Sequence, residues 1–209
     1  MTAPGPPRLV LATANRAKGA ELVALLDGLG YAIETLAAHP GVALPPEGAT
    51  SYADNALGKA RAAAAGTGAV AVGDDSGLEV DALGGEPGPG SARYGGSGLS
   101  DAARVGRLLA AVAAAPSRTA RFRCVLALVA PWGDEAVVEG VVEGELLRTP
   151  RGTGGFGYDP IFRVPGLAGT FGEVSAGDKA RVSHRARAAA AARPILARWV
   201  TRARAATGA

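Results

Sequence analysis

The chain has 209 residues, enough for one domain with a proper core. Hydrophobic residues make up 48% of it but aromatics only 5%, so each aromatic side chain is worth locating. A formal charge of +3 is too small to choose between nucleic acid, a phosphate-rich small molecule and a solvated arginine face.

In chain order, residues 8–13 read as a short buried strand, and Asn15 as the cap of a helix over 16–28 ended by Gly28 or Gly30. Residues 31–36 read as a second strand, and 39–49 as a loop rich in Pro and Gly. Ser51 opens a helix to about residue 65, stopped by Gly66. A strand at 69–73 then leads into an acidic run. Residues 84–98 are dominated by Gly and Pro and are expected to be irregular. Ser100-Asp101 caps a helix to about residue 115. The β-patterned runs 120–130 and 136–147 flank Pro131-Trp132-Gly133 and predict a hairpin, so the sheet is not purely parallel. After a glycine-rich loop at 152–157, a last helix starts near Ser183, and Pro194 is expected to kink or break it. This order of elements implies an α/β fold with a mixed sheet, whose ligands sit in the loops beyond the strand ends.

The acidic run is Gly73-Asp74-Asp75-Ser76-Gly77-Leu78-Glu79-Val80-Asp81. Adjacent carboxylates at the end of a buried strand are costly unless something positive neutralises them. Oxygen-only ligands in such a place suit Mg²⁺, which usually arrives with phosphates. A solvated acidic turn accounts for the same residue types.

Two helix starts carry cations. In Thr13-Ala14-Asn15-Arg16-Ala17-Lys18, the residues Arg16 and Lys18 fall in a first turn, where cations are unfavourable by ~0.3–1 kcal/mol each. Free N–H groups, a hydroxyl and a lysine there resemble an anion cradle, although the Walker pattern is absent. Ser183-His184-Arg185-Ala186-Arg187 repeats the feature, with Lys179 just upstream. Lys59 on the second predicted helix is a further candidate phosphate ligand, or simply a surface lysine. Thr153-Gly154-Gly155-Phe156-Gly157-Tyr158-Asp159-Pro160 places two aromatics in a loop whose glycines let the backbone approach a flat ligand. Phe156 could stack a nucleobase, a contact worth ~1–3 kcal/mol, and Asp159 could bond a base edge or anchor the loop.

The single cysteine, Cys124, lies in an apolar run and reads as a buried, inert thiol. No segment reaches transmembrane length, and residues 1–7 lack a signal-peptide layout, so cytoplasmic residence is the expectation.

Taken in order, these motifs resemble those of the inosine triphosphate pyrophosphatase-like family. The set is Leu11 to Lys18, Asn55-Ala56 with Lys59-Ala60, Asp74 to Asp81, Ser91-Ala92-Arg93-Tyr94, Gly154 to Pro160 and Ser183-His184-Arg185. The resemblance spans Leu9 to about Ala190. It implies an elongated mixed sheet flanked by helices, with two lobes around a nucleotide-binding cleft, and one domain over residues 8–206. It also implies a homodimer, Mg²⁺, and hydrolysis of non-standard purine nucleoside triphosphates to monophosphate and pyrophosphate. Nucleic acid and membrane are not expected partners.

Carried over residue by residue, the resemblance gives Thr13, Ala14, Asn15, Arg16, Ala17 and Lys18 the triphosphate, with help from Lys59. Asp75 becomes proton acceptor and metal carboxylate, and Glu47 the second metal acid. Ser76 touches the substrate. Phe156, Gly157, Tyr158 and Asp159 cradle the base, and Lys179, His184 and Arg185 complete the site. The chain departs from the family at Ala14, where glycine is usual and alanine requires a negative φ, and around Glu47, where the neighbouring residues match loosely. The alternatives are a nucleotide pyrophosphatase of different base preference and a purine-nucleotide sensor without turnover.

Overall fold

The computed structural model describes residues 5–48 and 51–207. Strands β1 (Arg8–Ala12), β2 (Ala32–Thr35), β3 (Val70–Val80), β4 (Thr119–Val129), β5 (Glu135–Leu146) and β6 (Phe162–Arg163) form one sheet in the order β2-β1-β3-β4-β5-β6. The β1 strand runs parallel to both β2 and β3; the remaining pairs are antiparallel. Helices α1 (Arg16–Leu26), α2 (Tyr52–Thr67), α3 (Asp101–Ala111), α4 (Ala176–Val182) and α5 (His184–Thr207) flank it. The expected mixed α/β sheet is present, and β3, β4 and β5 give it an elongated spine.

The period of two along β3 and β4 sorts the core. On one face, Val70, Val72, Leu126 and Leu128 pack with Leu22 of α1 and Leu196 of α5. On the opposite face, Ala71, Val125 and Ala127 meet the alanines of α2, Ala56, Ala60 and Ala63. Gly73 is required there because a Cβ would run into the Ala56 carbonyl oxygen. Farther along the spine a second core gathers Leu78, Val80, Phe122, Val142, Phe162 and Leu108 of α3. Between the two cores, β3 presents Asp74 and Ser76 on the α5 side. A polar gap therefore separates two apolar masses along one continuous strand.

Several local expectations change. The acidic run is not a loop after a strand: β3 continues through it to Val80, paired residue by residue with β4. Gly73, Asp74, Ser76 and Gly77 look like turn residues, but the β4 ladder and close approach of neighbouring backbone dictate extended chain. At Gly77 a Cβ would meet the Gly88 carbonyl oxygen. The α5 helix continues through Pro194 without a break. Burial of Ala188, Ala189, Ala192 and Leu196 along one flank outweighs the lost backbone bond. The short helix α4, capped by Ser175, and the two-residue β6 carried no signal that the sequence reading used.

Candidate functional site

The parallel strand β1 stops at Ala12, opposite Gly73 of β3. Beyond that point no strand among the described residues pairs with β3 on the β1 side, and Lys18 at the start of α1 reaches β3 there. Strand order reverses here, with β2 on one side of β1 and β3 on the other, which is where open α/β sheets place ligands. Asp74 and Asp75 are the first two β3 residues past the end of β1.

Being consecutive in a strand, they point to opposite faces. Asp74 is fully buried on the α5 side. Lys18 Nζ lies 2.8 Å from its Oδ1, and Arg185 Nε donates to its Oδ2 at 3.1 Å. The Cys124 thiol donates to Oδ2 as well. Burial alone would raise the Asp74 pKa, but the charges of Lys18 and Arg185 outweigh it and hold this carboxyl far below the usual carboxylate range. The two cationic helix starts therefore converge on one carboxylate. The Asn15 side chain caps α1 through the amides of Ala17 and Lys18, and Ser183 caps α5 through the Ala186 amide.

Asp75 faces α2. Asn55 Nδ2 donates to its Oδ2 at 2.8 Å, and the Ser76 amide donates to Oδ1 at 3.0 Å. Asn55 also clamps Gly48, accepting from its amide at 2.7 Å and donating to its carbonyl at 3.0 Å. This clamp brings the preceding Glu47 to the site. Lys59 Nζ donates to Glu47 Oε1 at 2.6 Å and to the Asp74 carbonyl oxygen. Arg93 holds the other Glu47 oxygen at 3.0 Å. Burial raises the Asp75 pKa despite the Asn55 bond and the charges of Lys59 and Lys18. Burial also acts to raise that of Glu47, but the bond and charge of Lys59, with Lys18 and Arg93, bring it below its ordinary value.

On the α5 side, a cleft of about 310 Å³ opens between the two cores. Asn15, Lys18, Ser76, Phe156, Lys179 and Arg185 are among the residues that line it. Its aromatic loop is held from several directions. Asp159 accepts from the Phe156 amide at 2.9 Å and from Lys179 Nζ at 2.6 Å. Asp101, at the start of α3, accepts from the Gly157 amide, and Tyr158 donates to the Ser91 carbonyl. Lys179 Nζ lies 4.7 Å from the centre of the Phe156 ring. Burial raises the Asp159 pKa even against Lys179. The His184 ring stacks on Phe122 at 4.7 Å. Burial, with the charges of Arg185 and Lys179, pushes its pKa well below the usual imidazole value.

The structure thus brings Lys18, Asn15, Ser76, Phe156, Gly157, Tyr158, Asp159, Lys179, His184 and Arg185 to one cleft. Asp75, Glu47 and Lys59 cluster on the other face of β3, joined to the cleft at the open strand edge by Lys18 and by the Lys59 bond to the Asp74 carbonyl. Thr13 accepts from the Asn15 amide and shapes the turn. Ala14 fits because no described non-glycine residue has a positive φ. Arg16 is exposed and does not line the cleft. Among the described residues no three His, Cys, Asp or Glu side chains converge as a metal site.

Two residues escaped the sequence reading. Asp74 had no role there. Glu21, three residues after Lys18 on α1, accepts from both Arg185 Nη1 and, at 2.8 Å, Lys179 Nζ. Its helical spacing from Lys18 was the available signal. Although adjacent, Asp74 and Asp75 are each given their own partners on their own face of the strand.

The fold and site define a class: an α/β protein whose cationic cleft, at a sheet switch point, pairs a lysine-bearing end with an aromatic loop. Within that class, the chain belongs to the Ham1 family, whose model matches residues 9–195. It is 47% identical over 193 residues to the dITP/XTP pyrophosphatase of Desulforamulus reducens, covering 91% of this chain and 96% of that one. It is 52% identical over 180 residues to the dITP/XTP pyrophosphatase of Gloeobacter violaceus, covering 86% and 89%. A solved HAM1 protein from Coxiella burnetii superposes with a TM-score of 0.80 at 38% identity, covering 92% of this chain and 99% of that one.

Proposed function

We infer that this protein hydrolyses non-standard purine nucleoside triphosphates, dITP, ITP and XTP, to the nucleoside monophosphate and pyrophosphate. One observation carries the reading: Lys18, expected at the phosphates, Phe156, expected at the base, and Lys179 and Arg185, expected to complete the site, line one cleft. The chain's relatives carry the name dITP/XTP pyrophosphatase. Residues 8–206 act as one domain in this reading.

Asp75 is the base that takes a proton from water as the water oxygen attacks the α-phosphorus. The bond from the α-phosphorus to its bridging oxygen breaks, and pyrophosphate leaves. Buried and with its pKa raised, Asp75 is a better proton acceptor than an exposed carboxylate. Asn55 fixes its orientation from below. Lys18 and Lys59 stabilise charge on the departing phosphates. Asp75 and Glu47 are a two-carboxylate, all-oxygen donor set of the kind that holds Mg²⁺ jointly with substrate phosphates, and the ion would supply charge neutralisation on pyrophosphate.

Base selectivity follows from donors. Arg185 uses three of its five N–H groups on Asp74, Glu21 and Ser76. The remaining two, with backbone amides of the 156–159 loop, can donate to a 6-keto oxygen. The 6-amino group of adenine would leave them unpaired, which costs ~1–3 kcal/mol per group. The same reading places the enzyme in the cytoplasm as a homodimer. Pyrophosphate release from dITP, ITP, XTP, GTP, ATP and dUTP, with Mg²⁺ and with EDTA, tests it. Turnover of dITP, ITP and XTP but not of ATP, lost in EDTA, is expected; absence of release from all six refutes it.

A further inference from the structure

Lys18 and Arg185 stand at the starts of the first and last helices, yet both end on the carboxylate of Asp74. The two oxygens are divided between them: Oδ1 faces Lys18 and Oδ2 faces Arg185. Asp74 is fully excluded from solvent, so it must keep at least one cation, because an unpaired buried carboxylate is strongly destabilising. The cations need not both stay. Lys18 lines the cleft at the phosphate end, and Arg185 lines it beside Ser76, whose Oγ accepts from Arg185 Nη2 at 2.8 Å.

We propose that Asp74 is a positioning residue that couples the two ends of the cleft, so that a keto base held by Arg185 frees Lys18 for phosphate, and phosphate on Lys18 fixes Arg185 for the base. The proposal rests on the nucleotide reading of the cleft. A base that takes the free N–H groups of Arg185 holds the guanidinium against Asp74. The carboxylate is then satisfied on its Oδ2 side, and Lys18 can swing to an anion without stranding it. In reverse, an anion that draws Lys18 away leaves Asp74 dependent on Arg185, which is thereby fixed where a base meets it. Thermodynamic linkage makes the two effects equal. Glu21 also holds Arg185, but it has no contact with Lys18 and cannot make this exchange. The Cys124 thiol lies against Oδ2 and supplies no charge at neutral pH.

The test is calorimetric titration of pyrophosphate into the protein, with and without inosine, in the presence of Mg²⁺. Inosine is expected to tighten pyrophosphate binding by about fivefold or more. In Asp74→Asn and in Lys18→Met, the remaining pyrophosphate affinity should be indifferent to inosine. A role in folding alone would weaken both ligands in Asp74→Asn while leaving their linkage intact, and that result overturns the proposal. So does a wild-type pyrophosphate titration unchanged by inosine up to its solubility limit. If Asp74→Asn does not fold, Lys18→Met carries the same test, and linkage that survives in it overturns the proposal. A wild type that turns over dITP but shows no linkage refutes the coupling and leaves the function standing. A wild type that releases no pyrophosphate refutes the function itself.

Discussion

At the level of single residues, Asp75 and His184 illustrate burial acting in opposite senses. Burial raises the carboxyl of Asp75 and lowers the imidazole of His184, because in each it disfavours the charged form. Asp75→Asn should cut pyrophosphate release by about 10²-fold or more, while circular dichroism and the melting midpoint stay close to wild type. Near-normal turnover would remove Asp75 from the reaction. For His184 the sign runs through the unfolded chain, whose imidazole binds a proton near pH ~6.5 while the folded one does not. Stability should therefore be fully present above that pH and decline below it, towards the depressed folded value. Melting curves between pH 7 and 5 should show this decline, and His184→Phe, which keeps the stack on Phe122, should flatten it. An unchanged pH slope in that variant would exonerate the imidazole.

Secondary-structure elements show how far the sequence could be read. The hairpin β4–β5, the α1 and α2 helices and their caps Asn15 and Ser51 were legible, because caps and periodicity are local signals. The length of β3 was not, since glycines that serve close approach look like glycines that serve turns. Nor was the fate of Lys18 and Arg185: their contact with one carboxylate spans 111 residues for Arg185 and depends on strand pairing. Glycine also governs how α5 lies on the sheet. A Cβ at Gly140 of β5 would run into the His184 carbonyl oxygen and the Ala188 amide. Gly140→Ala should lower stability by about 1–3 kcal/mol, read as a fall in denaturation midpoint, and should also reduce activity because α5 carries His184 and Arg185. A variant with wild-type stability would show that α5 has room to shift.

For the whole molecule, the spine of β3, β4 and β5 joins two cores and leaves the cleft between them. No helix among the described residues is long and apolar enough to cross a membrane. Assembly as a homodimer predicts a light-scattering mass of twice the 20.7 kDa chain at micromolar concentration. A mass equal to one chain, in an active sample, would contradict it.

The division of Asp74 and Asp75 across β3 has a consequence for how this protein can vary. Which residue serves as buried counter-ion and which faces the α2 side depends only on whether its position is odd or even along the strand. A single-residue insertion or deletion between Val70 and Gly73 would turn each carboxylate to the opposite face while leaving composition almost untouched. A change of two residues would restore the faces but carry both carboxylates along the β4 ladder, away from Lys18, Arg185 and Asn55, and take Gly73 off the Ala56 carbonyl. The site is protected by register as well as by parity, a constraint that no substitution at either aspartate would reveal.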